Sequence, residues 1–160
     1  MPDWVTHLAV AWTLCRILRF RFKIFSPENT MIVMVGALIP DMVKLALGLK
    51  FLGMDVWDYL EAVHLPVGSL IVAGMMALLF PERRNTFLFL SLGVATHYCL
   101  DLILLHLAGG MYLLFPFNWN YWQLGLTTSA DYHVTLVAVL IAVVVYLVGR
   151  LWDKKAIKTE

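Results

Sequence analysis

Residues 134–148 read VTLVAVLIAVVVYLV, an apolar run without a single charged side chain. Such a stretch has no polar face to turn toward water. A helix needs about 20 mainly apolar residues to cross the hydrocarbon core of a bilayer, and with its flanks this run extends from Tyr132 to Trp152. Four other stretches approach that length: Trp4 to Phe20, Met31 to Leu49, Val63 to Phe80 and Thr86 to Ala108. Composition agrees, with 61% of residues apolar and 14% charged, where a soluble protein carries about 25% charged residues to cover its surface. The expected fold class is therefore all-α: a polytopic helical bundle of about five transmembrane helices in the inner (plasma) membrane. Residues 1–152 would form one transmembrane domain and residues 153–160 a polar cytoplasmic tail.

The links support this division. Ser26-Pro27-Glu28-Asn29 and Pro81-Glu82-Arg83-Arg84-Asn85 are polar, proline-containing breaks where helices end. Residues 113–126 hold Phe115, Phe117, Trp119, Tyr121 and Trp122, a cluster suited to the headgroup region, where amphipathic rings settle; a packed aromatic loop is the other reading. Ten of the twelve basic residues fall on one side of a five-helix arrangement: Arg16, Arg19, Arg21, Lys23, Arg83, Arg84, Arg150, Lys154, Lys155 and Lys158. Lys44 and Lys50 are the exceptions. Basic loops stay cytoplasmic, so the N-terminus is expected outside and the C-terminus inside. No basic lead-in precedes the first apolar segment, which reads as a retained helix rather than a cleavable signal. The net charge of +1 gives no sign of a nucleic-acid partner, and membrane lipids are the expected surroundings. Cys15 and Cys99 both lie in apolar segments and are expected to be buried as small hydrophobes.

Ionisable residues inside a membrane are costly and point to function. Here they are His7, Asp41, His64, His97, Asp101 and His106, with Asp131 and His133 opening the last segment. Projected at 1.5 Å per residue, every histidine falls in the outer half of the bundle. His97 and Asp101 stand four residues apart, on one helix face, and form a two-ligand arm for zinc or a similar divalent ion. A buried His–Asp hydrogen bond would have the same spacing. His7, Asp41 and His64, at matching depth on three other segments, extend the set. Pro40 removes a backbone hydrogen bond and bends its helix, which would aim Asp41 into a cavity; an ion pair with Lys44, three residues on, is the competing reading. His106 and His133 stand as ligands or as solvated interfacial residues. Asp55, Asp58 and Asp131 read as outer-face carboxylates. Glu61, one helical turn before His64, is a candidate general base or a partner that orients a ligand.

Five motifs in order carry a resemblance: Thr6-His7, Gly36-Ala37-Leu38-Ile39-Pro40-Asp41, His64-Leu65-Pro66-Val67-Gly68-Ser69, His97-x-x-x-Asp101 and, after a glycine, Leu113-Leu114-Phe115-Pro116-Phe117. Over roughly residues 1 to 126 the chain resembles the YdjM-type membrane-bound, metal-dependent hydrolases associated with LexA control. That group is distantly similar to zinc-dependent phospholipase C and related single-strand nucleases, whose helices contribute His and Asp ligands to a metal cluster. The resemblance implies that His7, Asp41, His64, His97 and Asp101 are metal ligands. Val43 stands where the pattern has a second aspartate, and the stretch from Asp101 to Gly109-Gly110 is longer than the pattern, with His106 inside it.

The expected activity is metal-assisted hydrolysis of a phosphoester on a lipid or lipid-like substrate at the outer face. Asp101 would be a catalytic ligand, Glu61 an acid–base partner, and zinc the metal favoured over manganese or iron. No G-x-S-x-G nucleophile motif is present. Two rivals remain. A divalent metal transporter would carry polar residues in both membrane halves and often internal repeats, neither of which this chain has. A non-catalytic protein stabilised by its metal would look the same in sequence.

Overall fold

The computed structural model describes residues 4–54, 56–105, 110–128 and 132–158. Asp55, His106, Asp131 and the side chain of Asp58 lie outside the described residues. The fold is helical. Helix α1 spans Trp4–Arg19, α2 Pro27–Leu38, α3 Lys44–Lys50, α4 Trp57–Glu61, α5 Pro66–Ala77, α6 Arg83–Ile103 and α7 Tyr132–Lys158. Two 3₁₀ turns, Pro40–Val43 and Ala62–His64, precede α3 and α5. A two-residue parallel pair, β1 (Leu104–Leu105) with β2 (Thr127–Thr128), ties the aromatic loop to the end of α6.

Local chemistry sets these limits. Ser26 caps α2, its Oγ accepting from the Asn29 N–H at 3.3 Å, and Pro27 takes the first helical position, where its missing N–H costs nothing. Pro40 breaks the second segment: α2 and the following Pro40–Lys50 stretch meet at 46°. Leu65 is extended and Pro66 starts α5. Helix α6 stops at Ile103, short of the expected Ala108. The Leu124 and Leu126 N–H groups come back to the Leu102 and Ile103 carbonyls at 2.7 and 2.8 Å, satisfying helix-end acceptors that have no intrahelical partner.

Two helices, α6 and the Tyr132–Trp152 part of α7, are long and apolar enough to cross a membrane, and the bent α2–α3 pair makes a third if taken as one span. Helices α1 and α5, with 16 and 12 residues, fall short of that length. Only 11% of the apolar stretch of α7 is buried within the protein, against 44% for α6. Apart from the side packed on α1, helix α7 therefore lies largely outside the protein core, in keeping with a sequence that has no polar stripe.

Helices α2 and α6 form the centre, with α1 against α2 and α7, and α5 against α6. Small residues allow the close approach. A Cβ on Gly36 would strike the Leu90 backbone, and one on Gly93 would strike Val33 O and the Ala37 amide. Helices in lipid gain little from apolar burial and associate through such tight contacts. The core beside this crossing is correspondingly built of Ala11, Cys15, Val33, Ala37, Ala73, Ala77, Leu90 and Val94. Cys15 is buried as expected, but Cys99 is exposed. It stands two residues after His97, about 200° around the helix, on the outward face of α6. Thr6 and Thr135 hydroxyls, 2.7 Å apart, join α1 to α7.

Candidate metal centre

One polar layer crosses this apolar bundle. His7, Asp41, His97 and Asp101 are all fully buried, and His64 joins them with its side chain 20% exposed. His7 comes from the first turn of α1, Asp41 from the 3₁₀ turn after α2, His64 from the turn before α5, and His97 and Asp101 from α6. The Pro40 break places Asp41. A straight helix would have carried it past the site, whereas the bent chain turns it inward beside His7.

Asp101 is the hub. Its Oδ2 lies 3.3 Å from His97 Nε2 and 3.6 Å from His64 Nε2, and its Oδ1 lies 3.7 Å from His7 Nε2. His7 Nε2 is also 4.0 Å from Asp41 Oδ2. The rings of His7 and His97 stack with centroids 3.8 Å apart and planes 10° from parallel.

Backbone carbonyls determine which nitrogen of two histidines faces the centre. His97 Nδ1 sits 2.8 Å from Ala37 O, and His64 Nδ1 sits 3.1 Å from Pro40 O. A carbonyl can only accept, so each Nδ1 carries the proton and donates. In the neutral ring this leaves the Nε2 lone pair directed at Asp101. Metal-binding histidines are oriented in this way, with the second nitrogen donating to a carbonyl or carboxylate. Ala37 lies in the last turn of α2, where carbonyls lack helical partners, so one bond caps a helix and orients the His97 ring.

The donor set fits a divalent ion. With zinc bonds of about 2.0–2.2 Å, tetrahedral neighbours lie about 3.3–3.6 Å apart. The three approaches to Asp101 match that spacing closely, and the His7–Asp41 approach is wider. Two groupings, His7–His97–Asp101 and Asp41–His64–His97, bring one donor atom from each residue within 4.8 Å of the others. His7 Nε2, His7 Nδ1, His97 Nε2 and Asp41 Oδ1 are buried without a hydrogen-bond partner. Leaving such atoms unsatisfied in an apolar interior is expensive, and a cation would compensate most of them together. The expected competing pair also exists: Lys44 Nζ lies 2.5 Å from Asp41 Oδ2.

A family model for the YdjM inner membrane proteins matches residues 1–157. The chain belongs to the YdjM inner membrane protein family. Membership places it in the inner membrane, in keeping with its membrane-spanning helices. The YdjM match runs beyond residue 126, where the motif resemblance stopped, and takes in α7. No curated protein and no solved structure matches the chain significantly.

The remaining sequence candidates separate from the YdjM layer. His133 is exposed and stacks on Tyr132, with ring centroids 4.1 Å apart. It belongs to neither metal-ligand grouping. Val43, at the missing second aspartate, is a buried core residue. Glu61 is exposed and lines a cavity of about 260 Å³ with Ala62, Leu65, Tyr112, Phe115 and Trp119. That cavity is built partly on the residues that flank His64, the one candidate ligand that is not fully buried. Its aromatic wall is ordered by a Phe115–Trp119 edge contact at 4.9 Å and by the Tyr112 hydroxyl, which donates to Tyr121 at 2.5 Å. That hydrogen bond holds the Tyr112 phenol above its usual pKa.

Sequence reasoning missed Tyr98 and Ser69. Tyr98 Oη donates to the His64 carbonyl at 3.0 Å, Ser69 Oγ donates to Val63 O at 2.6 Å, and the two hydroxyls lie 2.8 Å apart. Together they lock the turn carrying His64. Gly68 is part of the same device, since a Cβ there would strike Ala62 O. Ser69 closes the His64 motif and Tyr98 follows His97, but neither position in the sequence shows which side chain holds the turn.

Proposed function

We propose that this protein is a membrane-bound metal-dependent hydrolase acting on a phosphoester of a lipid or lipid-like substrate at the outer face of the membrane. The observation that carries the reading is the inward aim of three imidazoles on Asp101, two of them fixed by backbone carbonyls. His7, Asp41, His64, His97 and Asp101 would hold the metal, with zinc favoured by this nitrogen and oxygen set. Bound metal would lower the pKa of a water to roughly 7 and hold phosphoryl oxygens. His97 has one nitrogen left for a ligand bond, yet both groupings include it. The two oxygens of Asp101 face different histidines. The set would suit one ion or two, with Asp101 among the residues that would hold them. Glu61 and the aromatic wall would receive the headgroup beside His64, with Glu61 as an acid–base partner.

In this reading the chain crosses the membrane five times, N-terminus outside and C-terminus inside. Ten of the twelve basic residues support that orientation; Lys44, one of the two exceptions, is paired with Asp41. A second reading, a non-catalytic protein stabilised by its metal, is favoured by the full burial of four of the five ligands, since structural sites are closed and catalytic sites keep an open position. The deciding experiment is elemental analysis of the purified protein, followed by phosphate release from lipid phosphates with wild type and Asp101→Asn. Metal in wild type and release lost in the variant support the enzyme. Metal without release from any lipid phosphate supports the structural role, and absence of metal after reconstitution refutes both.

A further inference from the structure

The cavity beside His64 has a chemistry of its own. Glu61, Ala62, Leu65, Tyr112, Phe115 and Trp119 line a space of about 260 Å³, below the roughly 300–1,000 Å³ of pockets that enclose a whole drug-sized ligand. That size suits one polar group of a larger molecule. Three of the lining side chains are aromatic and one is a carboxylate, and among the described residues no basic side chain lines the cavity.

The rings make a corner rather than a flat platform. Phe115 and Trp119 meet at 90° with centroids 4.9 Å apart, and Tyr112 meets Trp119 at 74° and 5.9 Å. The Tyr112 hydroxyl is committed to Tyr121, so Tyr112 brings a ring to the cavity rather than a donor. Aromatic faces are the negative end of the ring quadrupole and attract a cation within about 6 Å of the centroid, Trp most strongly. The Glu61 carboxylate adds to the same preference. An anion entering here would meet negative groups and no cation to balance it. Leu114 and Phe117, on the loop that supplies the rings, are 46% and 93% exposed. They extend the site with apolar surface, as an acyl chain requires and a soluble amine does not, and Trp and Tyr settle at headgroup level.

We propose that this cavity is an ammonium site that takes the cationic end of a zwitterionic phospholipid headgroup. The inference rests on the hydrolase reading only in calling that lipid the substrate. Ala62 and Leu65 lie on either side of His64 in the chain, and His64 is the candidate ligand that is not fully buried. An ammonium held between Glu61 and the rings therefore brings the phosphoester attached to it toward the accessible side of the metal centre. Substrates would then be chosen by the charge of the headgroup rather than by the acyl chains.

The test is native mass spectrometry of the full-length protein in mild detergent, with phosphatidylethanolamine, phosphatidylcholine and phosphatidylglycerol of identical acyl chains offered together. The two ammonium lipids should be retained over phosphatidylglycerol. Glu61→Gln and Trp119→Leu should each lower that preference about two- to fivefold, the worth of one exposed ion pair or cation–π contact. Both positions are exposed, so the variants should fold, and an unchanged Tm would confirm it. Trp152→Leu, an exposed aromatic outside the cavity, should leave the preference unaltered. Loss of proton transfer at Glu61 would slow turnover of every lipid alike, whereas a change in the ratio retained reports ammonium binding. No preference for the ammonium lipids, or one that survives either cavity change, overturns the proposal. Displacement of the lipid by an equimolar amount of phosphoethanolamine also overturns it, and assigns the cavity to a soluble amine. Retention is read without turnover, so a protein that holds these lipids yet releases no phosphate loses the hydrolase reading and keeps the ammonium site.

Discussion

Replacing His97 by alanine separates two contributions that the wild-type protein superimposes. The first is independent of metal. His97 Nδ1 holds the Ala37 carbonyl at 2.8 Å across the α2–α6 contact, and its loss strands a buried acceptor at a cost of about 1–3 kcal/mol. The second is linkage to the ion. At free metal about 100-fold above Kd, binding to the folded state alone adds about 2.7 kcal/mol. At 2–4 °C per kcal/mol for a chain of this size, that is roughly 5–10 °C in Tm. The assay is thermal unfolding in detergent, with chelator and then with zinc, for wild type and His97→Ala. Wild type should gain that increment on adding zinc. The variant should melt lower in chelator and gain almost nothing. An equal zinc increment in both proteins would refute the placement of His97 in the centre, whatever the effect on the chelated baseline.

Three further outcomes follow from the geometry. Tyr98→Phe removes the hydroxyl that holds the His64 carbonyl but keeps the ring in the core; metal affinity, measured by chelator competition, should fall about tenfold, the lower end for a partner that orients a ligand, and Tm in chelator should fall by about 2–4 °C for the roughly 1 kcal/mol of the lost hydrogen bond. Gly93→Ala drives a Cβ into the α2 backbone at Val33 and Ala37 and should cost at least the 1–3 kcal/mol typical of overpacking, read as a lowered Tm with and without zinc. A double-mutant cycle of Thr6→Val and Thr135→Val should give a coupling of about 0.6 kcal/mol, the average for a hydrogen bond between membrane helices; additive effects would show that the pair does not join α1 to α7.

The linear order of residues decides how far along a helix each group lies, because the rise per residue is constant. The common depth of His7, Asp41, His64, His97 and Asp101 was therefore legible before any fold was known, as were the breaks at Pro27 and Pro81 and the bend at Pro40, whereas the third segment was expected to run through Pro66, which in fact starts α5. The paired spacing of His97 and Asp101 was legible for the same reason. Rotation about each helix axis was not. In water an amphipathic stripe marks the buried face, but a helix in lipid is apolar all round and carries no such mark. Cys99 was thus expected inside and lies outside, and Tyr98 and Ser69 gave no sign of holding the His64 turn. The fourth segment was also expected to run on to Ala108, since apolar composition does not reveal where returning N–H groups will claim the last carbonyls. Only the assembled bundle, through the close approach of Gly36 and Gly93, fixes which faces meet. That contact turns five residues at one depth into five residues around one point.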